Sequence, residues 1–203
     1  MQVQHELARS TAWTFTDLVA GRSRVQRIAL GVGLSVLFTG LTVVGANIVI
    51  PIAPVPITLQ TLFVLLAGAS IGRGWGSLSQ ALYVGLGVMG LPFFASGVSG
   101  AAVMAGPTGG YLAAFLVTPF IVGTLLRRSS RPAWQVASFL AGTLVIFTLG
   151  VAHLALFYTH DLREALVVGL LPFLPGAVFK IVAALSIHRS SQALADTYRR
   201  RAS

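Results

Sequence analysis

The chain has 203 residues, of which 55% are hydrophobic and only 9% charged, and its mean hydropathy is +0.84. Too few polar side chains remain to cover a soluble domain, so the composition describes an integral membrane protein. A net charge of +9 would suggest nucleic acid in a soluble protein, but the arginines fall between apolar stretches, where they report topology and imply no nucleic-acid partner.

Residues 1–26 form a polar, basic segment carrying Arg9, Arg22 and Arg24. The apolar run that follows is too long for a signal-peptide core and lacks a clear cleavage site, so it is expected to persist as the first span. That span covers residues 28–50 without a charge and stops at Pro51, Pro54 and Pro56, which must form a loop. A second apolar run, 57–71, is short for a full crossing and ends at Arg73 among glycines; a third covers about 78–94. Residues 95–110 are rich in Gly and Ser and read as an ordered loop. A fourth span follows over 111–126, closed by Arg127, Arg128 and Arg131, and a fifth over about 132–158. After a polar turn at 159–164 come a short apolar piece, Pro172 and Pro175, and a last helix from about 176 into a basic tail, 190–203.

Alternating barrel patterning is absent. The expected fold class is an all-α integral membrane protein: six transmembrane helices over a membrane domain at 27–189, with both termini cytoplasmic. The arginines test that topology. Arg9, Arg22, Arg24, Arg27, Arg73, Arg127, Arg128, Arg131, Arg189, Arg199, Arg200 and Arg201 all fall inside, against Arg163 alone outside. Three segments then lie outside: the proline loop, the glycine-rich loop and the turn before the last helix. Small residues at four-residue spacing, Ala29 with Gly33, Gly31 with Ser35 and Thr39, and Gly68 with Gly72, mark close helix contacts, within the chain or to a partner subunit.

Lys180 is the only lysine, and it sits in an apolar run; no carboxylate occurs from residue 18 to residue 160. A charge at mid-bilayer costs about 2.5–3.5 kcal/mol on insertion scales, and such groups generally face a cavity or a partner. Lys180 enters the last helix about 7 Å below its outer end, at 1.5 Å per residue, within reach of all three outer segments. It must find its anion in a ligand, settle for dipoles and water, or lose its proton, and so suggests a binding site; the competing reading is snorkelling toward the outer headgroups.

Four segments carry a family resemblance: Pro54-Val55-Pro56-Ile57-Thr58-Leu59-Gln60-Thr61, Gly90-Leu91-Pro92-Phe93-Phe94, Gly106-Pro107-Thr108-Gly109-Gly110-Tyr111, and Leu171-Pro172-Phe173-Leu174-Pro175-Gly176 with Lys180. In this order, in a chain of this size, they resemble the BioY family, the biotin-specific substrate-binding (S) components of energy-coupling factor (ECF) transporters. The likeness covers most of residues 28–187. It implies an S-component-like bundle in a bacterial or archaeal plasma membrane, with a biotin pocket near the external face capped by the outer loops. It also implies a transmembrane coupling subunit and two ABC-type ATPases as partners. This chain is expected to be a transporter substrate-binding subunit and not an enzyme, with ATP hydrolysis on the partner chains alone, since Lys180 is its only lysine and a Gly-x-x-x-x-Gly-Lys-Ser/Thr phosphate loop is absent.

The family's last motif usually has an aspartate three residues before the lysine; here that position is Ala177, so only Lys180 carries over. An acid there would neighbour the ammonium on one helix face. Without it, Lys180 is freer to serve a carboxylate or a ureido oxygen. Around it the expected substrate contacts are Thr58, Gln60, Phe93, Ser96, Gly109, Gly110 and Tyr111, with Phe94, Ser99 and Thr108 as further possibilities. For Thr58 and Gln60 the alternative is capping or interhelical hydrogen bonding, and for the glycines a tight turn. Asn47, Gln80 and His153 read as interhelical hydrogen bonds. The histidines share no metal-ligand spacing, and neither a metal nor a cofactor is expected. The rival functions are an S component for another small anionic vitamin and an intramembrane enzyme, whose paired carboxylates or metal cluster the acid-poor chain does not supply.

Overall fold

The computed structural model describes residues 23–202, with side chains to 197; the expectations for residues 1–22 and for the side chains of the basic tail lie outside the described residues. Helix α1 (Arg24–Asn47) opens with a reciprocal cap, in which the Ser23 hydroxyl accepts from the Gln26 amide and the Gln26 side chain accepts from the Ser23 amide. It is followed by α2 (Gln60–Ser70), α3 (Gly72–Val88), the four-residue α4 (Ala102–Ala105), α5 (Gly109–Leu126), α6 (Pro132–Leu154), α7 (Leu162–Gly169) and α8 (Leu174–Ala202). A π turn, Ala155–Thr159, prolongs α6, and α8 runs through the basic tail without a break.

The fold is mostly helical, and four helical stretches among the described residues are long and apolar enough to cross a membrane: Arg24–Asn47, Gly109–Leu126, Pro132–Thr159 and Leu162–Thr197. The second and third expected spans differ from this set. Helix α2 has 11 residues, about 16 Å against a hydrocarbon core of about 30 Å. Eight of those residues are buried, so α2 is a core element of the bundle. Helix α3 begins six residues before the expected 78 and ends at Val88 instead of 94. Its early glycines look like breakers in sequence, yet Gly76 is a contact residue, since a Cβ there would lie 2.9 Å from the Ala67 carbonyl carbon on α2, while Gly74 faces open space.

Strict all-α architecture also needs correction. Val49–Ile50 pairs antiparallel with Ile57–Thr58, in the register Val49 to Thr58 and Ile50 to Ile57, so the proline loop is the tip of a small β-hairpin, β1–β2. Prolines cannot continue a helix, and the β-branched residues on either side suit a pleated pair.

Membrane helices gain little from hydrophobic association and rely on close packing and hydrogen bonds. Along the α1–α3 seam, Ser35 donates to the Trp75 carbonyl at 3.0 Å, Thr39 to the Ser79 carbonyl at 2.8 Å, and Gln80 donates to Thr42 at 3.2 Å. Gly31 belongs to this seam, because a Cβ there would collide with the Trp75 ring. Gly33 faces the opposite way and has open space in front of it. Gly68 packs on the Pro119 backbone of α5, so its small size serves contact within the chain. Outward positions such as Val36, Leu144 and Phe179 are more than half exposed, as lipid-facing side chains should be.

Candidate ligand-binding site

Lys180 is 8% exposed, whereas its neighbours Val178 and Phe179 are 64% and 65% exposed, so the ammonium stem points into the bundle instead of snorkelling outward. It lines a cavity whose space open to the centre of a water molecule is about 70 Å³, several times what one water needs. Among the described residues Lys180 has neither a hydrogen bond nor an ion pair.

All three segments expected outside reach the cavity. The hairpin supplies Val55, Pro56 and Thr58; the glycine-rich connection supplies Ala95 and Thr108, with Phe94 just before it; and the 3₁₀ turn Leu171–Phe173 supplies Phe173. The walls come from the first turns of α2, the first half of α5, the middle of α6 and the start of α8. Ala177 also lines it, on the same helix face as Lys180.

Polar groups on the wall are held by neighbours. Gln60 donates through Nε2 to the Tyr83 hydroxyl at 2.6 Å and accepts from Thr58 at 3.2 Å. Thr58 and Gln60 thus line the cavity and are also tied into the packing. Tyr83 is fully buried, and Phe94 meets it edge to face at 5.7 Å. Tyr111 donates its hydroxyl to the Gly169 carbonyl at 2.7 Å, and its ring stacks on Phe173 at 6.3 Å. That ring can lie against α6 because residue 150 is glycine, where a Cβ would strike it.

A profile of the BioY family matches residues 18–197. The chain belongs to the BioY family. It is 48% identical over 151 residues to the biotin transporter BioY of Thermotoga maritima, covering 74% of this chain and 89% of that protein. To the probable biotin transporter BioY of Pyrococcus horikoshii it is 41% identical, covering 77% and 92%. Its fold matches the crystal structure of the S-component for biotin from an ECF-type ABC transporter with a TM-score of 0.78 at 28% identity, covering 85% of this chain and 95% of that one.

Among the residues expected at the site of this BioY protein, Lys180, Tyr111, Thr58 and Gln60 line one cavity, and Phe93, Ser96, Gly109 and Gly110 do not. The ring facing the cavity is Phe94, while Phe93 is half-buried against the neighbouring core. The difference follows from the early end of α3, which leaves both rings outside the helix, with Phe94 on extended backbone after a tight turn at 91–93. Ser96 is exposed and takes a left-handed backbone, with φ of 60°. Gly109 and Gly110 instead serve packing: a Cβ on Gly109 would collide with the Met104 carbonyl of α4 and lie 3.1 Å from His153 Nε2 on α6, and one on Gly110 would meet His153 and the Leu149 carbonyl. His153 itself pairs with the Gly106 carbonyl at 3.0 Å, which fixes the entry into α5. Asn47 donates to Val43 on its own helix, so it makes no interhelical bond.

Sequence reading missed Thr61, Phe115, Thr143 and Phe147 on the wall. Phe115 lies one turn after Tyr111, so helical spacing from an expected lining residue could have found it, whereas no expected residue on α6 pointed to Thr143 or Phe147.

Proposed function

We propose that this chain is the biotin-capturing S component of an ECF-type uptake transporter, binding the vitamin at the outer face of a bacterial or archaeal plasma membrane. The observation that carries this reading is the buried, unpartnered Lys180 in a cavity closed over by three loop segments, in a chain of the BioY family. Biotin combines an apolar bicycle, a urea and a carboxylate tail. The Phe94, Phe115, Phe147 and Phe173 rings suit the bicycle, the Lys180 ammonium suits the carboxylate, and the Thr and Gln hydroxyls and amides suit the urea.

Six crossings with both termini cytoplasmic fit the arginine distribution, with α2 and α3 completing the set inside the shelter of the longer helices. Helix α2 then spans less than the bilayer because the β-hairpin and loops fill the height above it. The outward stripe of Ala29 and Gly33 on α1, clear of neighbours within the chain, offers a surface to the transmembrane coupling subunit, while two ABC-type ATPases supply the energy. Delivery by reorientation of the whole bundle, as the S-component likeness implies, needs no rocking of two halves.

The test is retention of radiolabelled biotin by the purified chain, with displacement by unlabelled biotin and none by thiamine or lipoate. Displacement by another anionic vitamin in preference to biotin supports an S component of different specificity. Failure to retain biotin refutes the proposal.

A further inference from the structure

At the end of α5 and α6 remote from the cavity, the connecting turn forms an open hollow of about 470 Å³ lined by Arg128, Ser129, Arg131, Ala133 and Trp134. Both guanidinium groups are exposed, and neither has a hydrogen bond or ion pair among the described residues. No acid occurs from residue 18 to residue 160, and no carboxylate among the described residues pairs with either group, so an anion from another molecule can meet both. Trp134 is fixed as one wall, since its indole Nε1 donates to the Leu125 carbonyl at 2.7 Å across the turn. The hollow therefore has an aromatic wall held in place as well as a charge.

Its location selects the source of the anion. Helix α5 and the α6 stretch Pro132–Thr159 are both long and apolar enough to cross a membrane, so the turn between them lies at the headgroup boundary, where tryptophan rings are enriched. Basic pockets between membrane helices at this level suit lipid phosphates. We infer that Arg128 and Arg131, walled by Trp134, form a binding site for the phosphodiester headgroup of an anionic phospholipid. Arginine fits this role because its planar fork presents paired donors to phosphate oxygens. The inference rests on the proposed membrane insertion of the chain and on neither the orientation of its termini nor its vitamin.

The experiment places the full-length chain in phosphatidylcholine bilayers doped with spin-labelled phosphatidylglycerol or spin-labelled phosphatidylcholine and measures their relative association, with biotin retention read from the same preparation. At about 5-fold per guanidinium near the surface, preference for phosphatidylglycerol should be roughly 25-fold at low salt and should fall at high salt. The Arg128→Gln, Arg131→Gln double variant should lose that preference, whereas Arg127→Gln, a neighbour outside the hollow, should keep it. A loss of about 5-fold in the Arg127 variant, the share of one charge in a diffuse field, overturns the site in favour of diffuse surface charge. Displacement of the labelled lipid by millimolar inorganic phosphate overturns a lipid site in favour of a soluble anion. If the double variant keeps lipid preference but no longer co-purifies with the transporter partners, the patch is a protein contact and the inference fails. Biotin retention should be unchanged throughout, so loss of lipid preference is separable from failure of the vitamin site.

Discussion

Tyr111 and Gly169 join α5 to the end of α7 through a 2.7 Å hydrogen bond from the phenol to the backbone carbonyl. A side chain at 169 would collide with that hydroxyl, so the glycine is what permits the contact. The same tyrosine stacks on Phe173, and thus one residue both lines the cavity and holds the segment that leads into Lys180.

Tyr111→Phe should keep the ring wall and remove the anchor. Losing one buried hydrogen bond costs about 1 kcal/mol, which corresponds to a fall of about 2–4 °C in Tm for a chain of this size. Biotin affinity should weaken only a few-fold, because the cavity keeps its shape but Phe173 is held less firmly. A thermal melt with and without biotin checks both effects, and an unchanged Tm would show that the hydroxyl anchors nothing.

Lys180→Ala removes the unpartnered cation from the cavity. Truncating one member of a buried charged pair costs about 2 kcal/mol or more, so biotin affinity should fall about thirtyfold at least. Folding should survive, since the ammonium has no partner among the described residues to lose and its burial is a cost in the empty protein. Binding titration beside a melt decides the matter, with unchanged affinity the outcome that removes Lys180 from the site.

Much of this architecture is legible in sequence because it depends on charge and apolar run length. A lone lysine in an acid-poor chain can be located without coordinates, and arginines at span ends mark α5 and α6 well. What escapes is governed by local backbone and by packing partners distant in sequence. The choice of Phe94 over Phe93 turns on where α3 stops, and Gly109 looks like a ligand-facing glycine until His153 is seen against it. The two small-residue stripes of α1 are equivalent as text. Only the position of Trp75 shows that Gly31 faces inward and Gly33 outward.

That asymmetry separates stability from assembly. Gly31→Leu should destabilise the isolated chain by about 1–3 kcal/mol, because a side chain there must displace the Trp75 ring. Gly33→Leu meets open space and should leave both Tm and biotin affinity as they are, while reducing co-purification with the coupling subunit by disrupting close helix approach. Size-exclusion of the co-expressed complex alongside melts of the single chain checks the pair. Intact assembly with Gly33→Leu would remove that stripe from the interface.

Ala177 and Lys180 share a helix face and a cavity, so restoring an acid at 177 should change what the lysine does. With alanine the ammonium is undivided, and a ligand carboxylate gains its full attraction; biotin methyl ester, which lacks that charge, should bind far more weakly than biotin. In Ala177→Asp the new carboxylate competes for the ammonium and adds an acceptor for the N–H donors of a urea. Preference for biotin over its methyl ester should therefore narrow, by about tenfold if the competing pair is worth about 1.4 kcal/mol. Competition titrations with acid and ester on both proteins give the ratio directly. A ratio unmoved by the substitution would mean that the carboxylate binds away from Lys180, and that the ammonium serves the urea end of the ligand instead.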